Sequence, residues 1–381
     1  MRPPLSRKLA GFGTTIFTEI SSLATKYGAV NLGQGFPDFD GPDFVKEAAI
    51  AAIRAGHGQY ARMTGIPALH VALSEKYRRD WDLDYAAETE FTVTSGATET
   101  IFAAIQGICD VGDEVILFEP YYDSYRASVC MAGATPRVVK LHAPHWTFDP
   151  SELRAAFSAR TRAIVVNTPH NPTGKVFSRA ELECIAALCR EHDAICISDE
   201  VYEHLVFDGK HIPIATLPGM RERTITISSL GKTFSLTGWK IGWAAAPPAL
   251  TASVRAAHQF ITFATATPLQ HGAVAALQTG PDYYASLLTM YRSKRDFLAD
   301  ALVDIGFEVA APAGTYFIMA GIAKWSDDDL GFCRDLIANV GVAAIPPSVF
   351  YERPERGFVR FAFCKQESTL VEAVSRLSKL K

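Results

Sequence analysis

The chain has 381 residues, 48% of them apolar and 20% charged, with a formal net charge of −4. That length suits about two or three domains around a large core, and the composition excludes a disordered or collagenous chain. No basic excess supplies the face that phosphate-backbone binding needs, and no run of about 18 apolar residues predicts a membrane span, so neither nucleic acid nor membrane is expected as a partner.

The N-terminal residues Met1–Lys8 carry positive charge, but no apolar stretch follows, which reads against a signal peptide. The seven cysteines form no C-x-x-C pair, and most lie among apolar residues, as in Ala194-Ile-Cys196-Ile. Buried, reduced thiols and a cytoplasmic location follow. Residues 1–40 show no strand pattern of a main sheet and are expected to cross to a second domain or to a partner subunit.

Between residues 90 and 246 lie seven short apolar runs: 91–94, 114–118, 137–141, 163–167, 194–198, 224–228 and 241–246. Their near-continuous apolar character predicts strands buried on both faces. Helical patterns lie between several of them. Ile101, Ala104, Ile105 and Ile108 fall at helical spacing within 97–109. Asp149-Pro150-Ser151-Glu152 reads as an N-cap, and Ser178-Arg-Ala-Glu181 as a capping box opening a helix over 179–192. Strands alternating with helices predict an α/β fold with a seven-stranded, mostly parallel sheet. Only residues 229–240 join the last two strands, too few for a packing helix, so the seventh strand is expected to run antiparallel. After residue 248 the pattern turns helical, with a long helix over 282–304. Short strands near 308–309, 315–319 and 358–363 and helices over 328–340 and 367–380 then predict a smaller α+β domain. The expected division is an N-terminal segment 1–40, a large domain 41–280 and a small domain 281–381.

Three polar residues follow three of the apolar runs: Asn171 after 163–167, Asp199 after 194–198 and Lys232 after 224–228. In an open α/β sheet, ligands bind outside the carboxyl ends of the strands, so an amide, a carboxylate and an amine converge on one crevice. A lysine amine can form a Schiff base with an aldehyde. A buried carboxylate keeps a pyridine nitrogen protonated. An amide N–H, with Tyr202 beside it, can donate to a phenolate. Pyridoxal phosphate has an aldehyde, a ring nitrogen and a phenolate. Its phosphate would find Ser229, Lys240 and the start of the helix after Thr94-Ser-Gly96-Ala-Thr98.

The run Ser229-Leu-Gly-Lys232-Thr-Phe-Ser-Leu-Thr-Gly-Trp-Lys240 resembles the lysine signature of class I/II aminotransferases of the fold type I pyridoxal-phosphate superfamily. Asn31-Leu-Gly-Gln-Gly35-Phe-Pro-Asp38, Asn167-Thr-Pro-His-Asn171-Pro-Thr-Gly and Val359-Arg360-Phe resemble the branch holding kynurenine aminotransferase, glutamine transaminase K and bacterial methionine aminotransferase.

The resemblance covers nearly the whole chain and implies a role for each matching residue. Lys232 is the Schiff-base lysine and proton carrier, Asp199 faces the ring nitrogen, and Asn171 and Tyr202 hold the ring oxygen. Tyr122 stacks on the ring, where many relatives have Phe. Ala97, Thr98, Ser229 and Lys240 hold the phosphate, joined by Tyr60 from the partner of a homodimer whose sites are shared. Arg360 clamps the substrate carboxylate with Asn171 and Gly35, while Phe17 and Phe263 border the side-chain pocket.

Taken alone, Lys232 would be a solvated loop lysine and Arg360 an edge ion pair; the surrounding motifs decide for chemistry. His142-Ala-Pro-His145 reads as a surface turn rather than a metal site, and Gly33-Gln-Gly35 lacks the third glycine of a dinucleotide fingerprint. The expected activity moves an amino group from an apolar, aromatic or sulfur-containing amino acid to a 2-oxo acid. The same scaffold leaves a cysteine-S-conjugate β-lyase or an N-succinyldiaminopimelate aminotransferase as alternatives. A ligand-sensing regulator would need a DNA-binding segment that residues 1–40 do not resemble.

Overall fold

The computed structural model describes residues 6–381. Its strands are β1 (Val30–Asn31), β2 (Phe91–Thr94), β3 (Glu114–Glu119), β4 (Thr135–Lys140), β5 (Thr161–Asn167), β6 (Ile195–Asp199), β7 (Thr224–Ser229), β8 (Gly242–Ala245), β9 (Glu308–Val309), β10 (Phe317–Gly321), β11 (Val342–Ala343) and β12 (Phe358–Ala362). Seven of them form the main sheet, in the order β2-β8-β7-β6-β5-β3-β4. Strands β3 to β7 run parallel, and β8 is antiparallel to both neighbours, β7 and β2. The short link 229–240 explains the reversal. It holds one helical turn, Leu230–Thr233, and a 3-10 turn, Thr237–Trp239, and neither spans the sheet.

The reversal has a consequence for the sheet edge. Gly242, the first residue of β8, pairs with Thr94 and Ser229, the last residues of β2 and β7. The carboxyl ends of β2, β5, β6 and β7 and the start of β8 thus share one edge. Gly242 must be glycine there, because a Cβ would lie 2.5 Å from the Gly96 carbonyl carbon and 2.6 Å from the Ala97 nitrogen. That close approach fixes the start of the helix Gly96–Ile108 against the strand.

Strand β4 departs from the expected two-sided burial. It is an edge strand, pairs only with β3 and alternates in exposure. It also begins two residues before the expected start and takes in Pro136, whose missing N–H is tolerated at a sheet edge. The strand expected over 315–319 begins at Phe317, because Thr315 sits at φ +64°, outside the extended region. The helix expected over 328–340 is Asp329–Asp335 followed by a π-helical turn, Leu336–Val340.

The second layer set is built around β9, β10 and β12, an antiparallel sheet in the order β12-β10-β9. The long helix Pro281–Ile305 closes on Gly306, in the left-handed region at φ +115°. The helix Ile16–Tyr27 joins this part rather than the main sheet. Its Ile20 and Ala24 share one core with Leu298 and Leu302 of the long helix and Phe361 of β12. Strand β1 pairs in parallel with β11, residues distant in sequence. Tyr202, from the turn after β6, is buried in that same core, so the turn that follows a main-sheet strand is gripped by the smaller part.

The capping box is present. Ser178 Oγ accepts from the Glu181 N–H at 3.3 Å, and Glu181 Oε2 accepts from the Ser178 N–H at 2.8 Å, opening the helix Arg179–Glu191. Ser178→Ala is expected to lower stability by about 1 kcal/mol, read as a lower denaturant midpoint at unchanged catalytic rate.

Candidate active site

The edge residues gather around a cavity of about 220 Å³. Lys232 enters it from the helical turn directly after β7, Asp199 from the last position of β6, and Asn171 from the loop after β5. Gly96, Ala97 and Thr98, the first residues of a helix, line it together with Ser229 and Lys240. A second cavity of about 180 Å³ adjoins it, sharing Tyr122, Asn171, Tyr202 and Lys232, and is otherwise bounded by Phe17, Gly35, Phe317 and Arg360 among others.

Burial sets the electrostatics. It pushes the Lys232 amine down to about 8, aided by the positive charges of Arg360 and Lys240 and opposed by Cys364 and Asp199. Burial also raises the Asp199 carboxyl to about 6, although Tyr125 donates its O–H to Oδ2 at 2.6 Å and the Val201 N–H reaches Oδ1 at 3.3 Å. A partly neutral amine beside a carboxyl titrating near neutrality is the pair of groups expected where protons are moved.

A hydrogen-bonded chain crosses from the sheet to the smaller part. Asn167 Nδ2 donates to the Asp199 carbonyl at 2.9 Å, and Asn167 Oδ1 accepts from the Asn171 N–H at 2.7 Å. Asn171 Oδ1 accepts from Arg360 Nη1 at 2.8 Å, and Arg360 Nη2 donates to the Gly33 carbonyl at 3.0 Å. Arg360 is 1% exposed, its two acceptors are uncharged oxygens, and its Nε has no protein partner. Burial lowers it to about 10. A buried guanidinium with an unused N–H suits an incoming carboxylate. The ring of Phe317 lies 4.1 Å from its Cζ and that of Phe17 5.4 Å.

Gly35 sits under Phe317. A Cβ there would come within 2.6 Å of the Phe317 ring, and the Gly35 carbonyl accepts from Tyr316 O–H at 2.6 Å. The ring of Tyr202 lies 5.6 Å from the Lys232 amine. Tyr122 meets Tyr125 edge to face at 5.7 Å.

Twelve of the sequence-derived residues, Phe17, Gly35, Ala97, Thr98, Tyr122, Asn171, Asp199, Tyr202, Ser229, Lys232, Lys240 and Arg360, therefore line the two cavities. Tyr60 and Phe263 do not. They pack edge to face against each other at 5.5 Å on the surface, 84% and 45% exposed. Arg62, two residues beyond Tyr60, pairs with Glu88 at 3.5 Å, also at the surface.

Sequence reasoning missed Tyr125, Asn167 and Phe317. Tyr125 had a weak signal, one helical turn after Tyr122, and Asn167 ends its strand. Phe317 had none, since only the antiparallel pairing of β10 with β12, strands distant in sequence, brings it to Arg360. Among the described residues, no group of three or more His, Cys, Asp or Glu could hold a metal ion, and no helix is long and apolar enough to cross a membrane.

The sequence profile of the family "Aminotransferase class I and II" matches residues 27–377. The chain is 47% identical to a probable N-succinyldiaminopimelate aminotransferase of Mycobacterium tuberculosis, over 98% of each chain. The solved structure of the N-succinyldiaminopimelate aminotransferase from that species superposes with a TM-score of 0.97, covering 99% of this chain and 100% of that one. Methionine aminotransferase of Escherichia coli is 42% identical over 98% of this chain and 97% of its own; a solved E. coli structure described as a methionine aminotransferase superposes at a TM-score of 0.95, covering 99% of each chain. Human kynurenine–oxoglutarate transaminase 3 is 41% identical over 96% of this chain and 88% of its own. With a profile that spans the main sheet, the lysine turn and Arg360 alike, and relatives that match end to end, the chain belongs to the class I and II aminotransferases.

Proposed function

We propose that the chain is a pyridoxal-phosphate-dependent aminotransferase for apolar, aromatic and sulfur-containing amino acids, working as a homodimer. The family depends on pyridoxal phosphate, and the observation that carries the reading for this chain is the donor set of the larger cavity. An amine, a buried carboxyl and a helix N-terminus with a hydroxyl and a lysine face one space. Each matches one functional group of that cofactor, so the residues fit it. Gly96, at φ +79°, adds a cradle: a Cβ there would lie 3.2 Å from the Lys240 ammonium.

When bound, pyridoxal phosphate supplies the aldehyde that captures an amino group and the ring that makes the Cα–H of the donor acidic. Lys232 Nζ is the amine that meets the aldehyde. As a free amine, Nζ would take the donor's Cα proton and return it, a task its lowered basicity favours. Asp199 keeps a proton on the ring nitrogen, and Tyr125 and Asn167 hold Asp199 in place. Asn171 spends its Oδ1 on Arg360, leaving its N–H₂ for the ring oxygen beside Tyr202. Tyr122 stacks on the ring. The N–H groups of Ala97 and Thr98, with Ser229 and Lys240, hold the phosphate. Arg360, Asn171 and Gly35 take the donor's α-carboxylate.

Exposed Tyr60 and Phe263 support the dimer. Two large rings left in water gain from burial, and from a partner they would complete the phosphate and side-chain sites. The seven free cysteines support a reducing, cytoplasmic setting.

The side-chain preference follows from charge. Arg360 serves the α-carboxylate, and Lys365, five residues on, donates to the carbonyls of Gln34 and Phe36 at 3.2 and 2.8 Å. A second carboxylate beside Phe17 and Phe317 would be buried without a cation. In a donor panel at fixed 2-oxo acid, methionine, phenylalanine, tyrosine, kynurenine or glutamine is expected to exceed aspartate in kcat/KM by at least tenfold, ~1.4 kcal/mol. Aspartate leading the panel would sink the apolar-pocket reading. The similarity to the mycobacterial relative favours N-succinyldiaminopimelate as a second reading. That donor needs a further cation, and Arg62, two residues from Tyr60, is the one a partner would bring. Its leading the panel, with the lead lost in Arg62→Ala, would decide for it. Pyruvate and ammonia released from a cysteine S-conjugate without any oxo acid would report β-lyase activity.

A further inference from the structure

Behind the phosphate end of the cavity lies a buried glutamate–histidine contact, Glu99 with His258, that none of these roles uses. Glu99 stands in the first turn of the helix Gly96–Ile108 and is 8% exposed. Its carboxylate accepts from the Ser95 N–H and, at 2.7 Å, from Thr262 Oγ1, and it lies 2.6 Å from His258 Nδ1. His258 is fully buried, and its other ring nitrogen, Nε2, lies 2.9 Å from the Met63 carbonyl oxygen. The closest neighbour of each ring nitrogen is an acceptor, a carboxylate and a carbonyl, with the Thr262 hydroxyl farther from Nδ1 at 3.4 Å, a setting that suits a proton on both nitrogens. Arg255, one turn earlier on the same helix, donates from Nη2 to the carbonyls of Glu88 and Phe91 rather than to Glu99.

Glu99 poses a problem for anion binding. A helix N-terminus attracts one negative charge readily, but here a carboxylate bonded to the Ser95 N–H stands beside the helix end, Gly96 to Thr98, that is to receive a phosphate. We propose that His258 is a positioning residue for the cofactor phosphate: its imidazolium cancels the charge of Glu99, so the helix end holds a dianion without repulsion from its own first turn. The inference rests on the phosphate being bound at Ala97 and Thr98, as proposed above.

The test compares binding of pyridoxal phosphate and of pyridoxal, which lacks the phosphate, to the full-length wild-type chain, His258→Gln, Glu99→Gln and the double variant. His258→Gln leaves Glu99 charged and uncompensated. It is expected to weaken pyridoxal phosphate about tenfold, ~1.4 kcal/mol, while pyridoxal changes less than about twofold. Adding Glu99→Gln removes the uncompensated charge and is expected to restore affinity to within about threefold of wild type. Equal losses for both ligands, or a double variant no better than His258→Gln, would overturn the proposal, because a purely structural lesion is not repaired by a second one. A wild-type chain that does not prefer pyridoxal phosphate to pyridoxal would overturn the phosphate site itself, and this role with it. If His258→Gln does not fold, the ¹⁵N spectrum of the wild-type holoenzyme decides. A proton on both ring nitrogens of His258 is expected, and a neutral tautomer would overturn the proposal.

Discussion

Lys232→Ala is expected to abolish transamination. The cavity holds one other amine, Lys240, and it lies at the phosphate end on a left-handed residue at φ +54°, beside Gly96 rather than Asp199. No second group can therefore both meet the cofactor aldehyde and carry the Cα proton. Loss of a proton carrier alone accounts for roughly 10²–10⁴ in rate, and loss of the covalent anchor adds to it. Borohydride treatment of the wild-type enzyme should leave a pyridoxyl label on the peptide bearing Lys232, and the variant should carry none. Because only the free amine attacks an aldehyde, uptake of pyridoxal phosphate by the cofactor-free chain should accelerate as pH rises through about 8, the value to which burial brings this lysine. Turnover near wild type in the variant would refute the assignment.

Asp199→Asn is expected to keep the fold and the cofactor yet lose about a thousandfold in the rate of the first half-reaction, ~4 kcal/mol. An asparagine Oδ1 can still accept from the Val201 N–H, and its Nδ2 can donate to the Tyr125 hydroxyl, which now donates to Asp199 Oδ2. What it cannot do is stabilise a positive charge on a ring nitrogen. The measurement is a single-turnover rate with a good donor, beside cofactor content. A rate within a few-fold of wild type would mean that Asp199 serves only to tie β6 to its neighbours.

Much of this site was legible before any coordinates because its groups occupy strand ends. Apolar runs marked β2 to β8, and the residue types just after them gave Asn171, Asp199 and Lys232 a common edge as soon as the sheet was parallel. The short link 229–240 even announced the reversal of β8. The helices before residue 90 were not read at all. Strands β1 and β11 could not be seen either, since each is two residues long and acquires its identity only from the other.

One strand boundary was misread for a related reason, and two site residues need the second chain of the proposed dimer. Thr315 looks like the start of a strand by composition, but its backbone is left-handed where the chain turns into β10. Tyr60 and Phe263 carry the family's pattern, yet one chain leaves them on its surface, 84% and 45% exposed.

The sequence by itself determined the chemistry, an amine, a carboxylate, an amide and a guanidinium in a recognisable order, because residue type and strand-end position are local properties. Only the tertiary structure decided how those groups are wired. Arg360 meets Asn171 across 189 residues, and His258 meets Glu99 across 159. Periodicity constrains which face a side chain takes within its own element. It carries no information on which distant acceptor will stand within hydrogen-bond reach once two elements pack. Such partnerships, and the burial that lowers Lys232 and raises Asp199, arise only when distant elements pack: the smaller part around the turn that bears Tyr202, and the helix Pro248–Ile261 against the helix Gly96–Ile108.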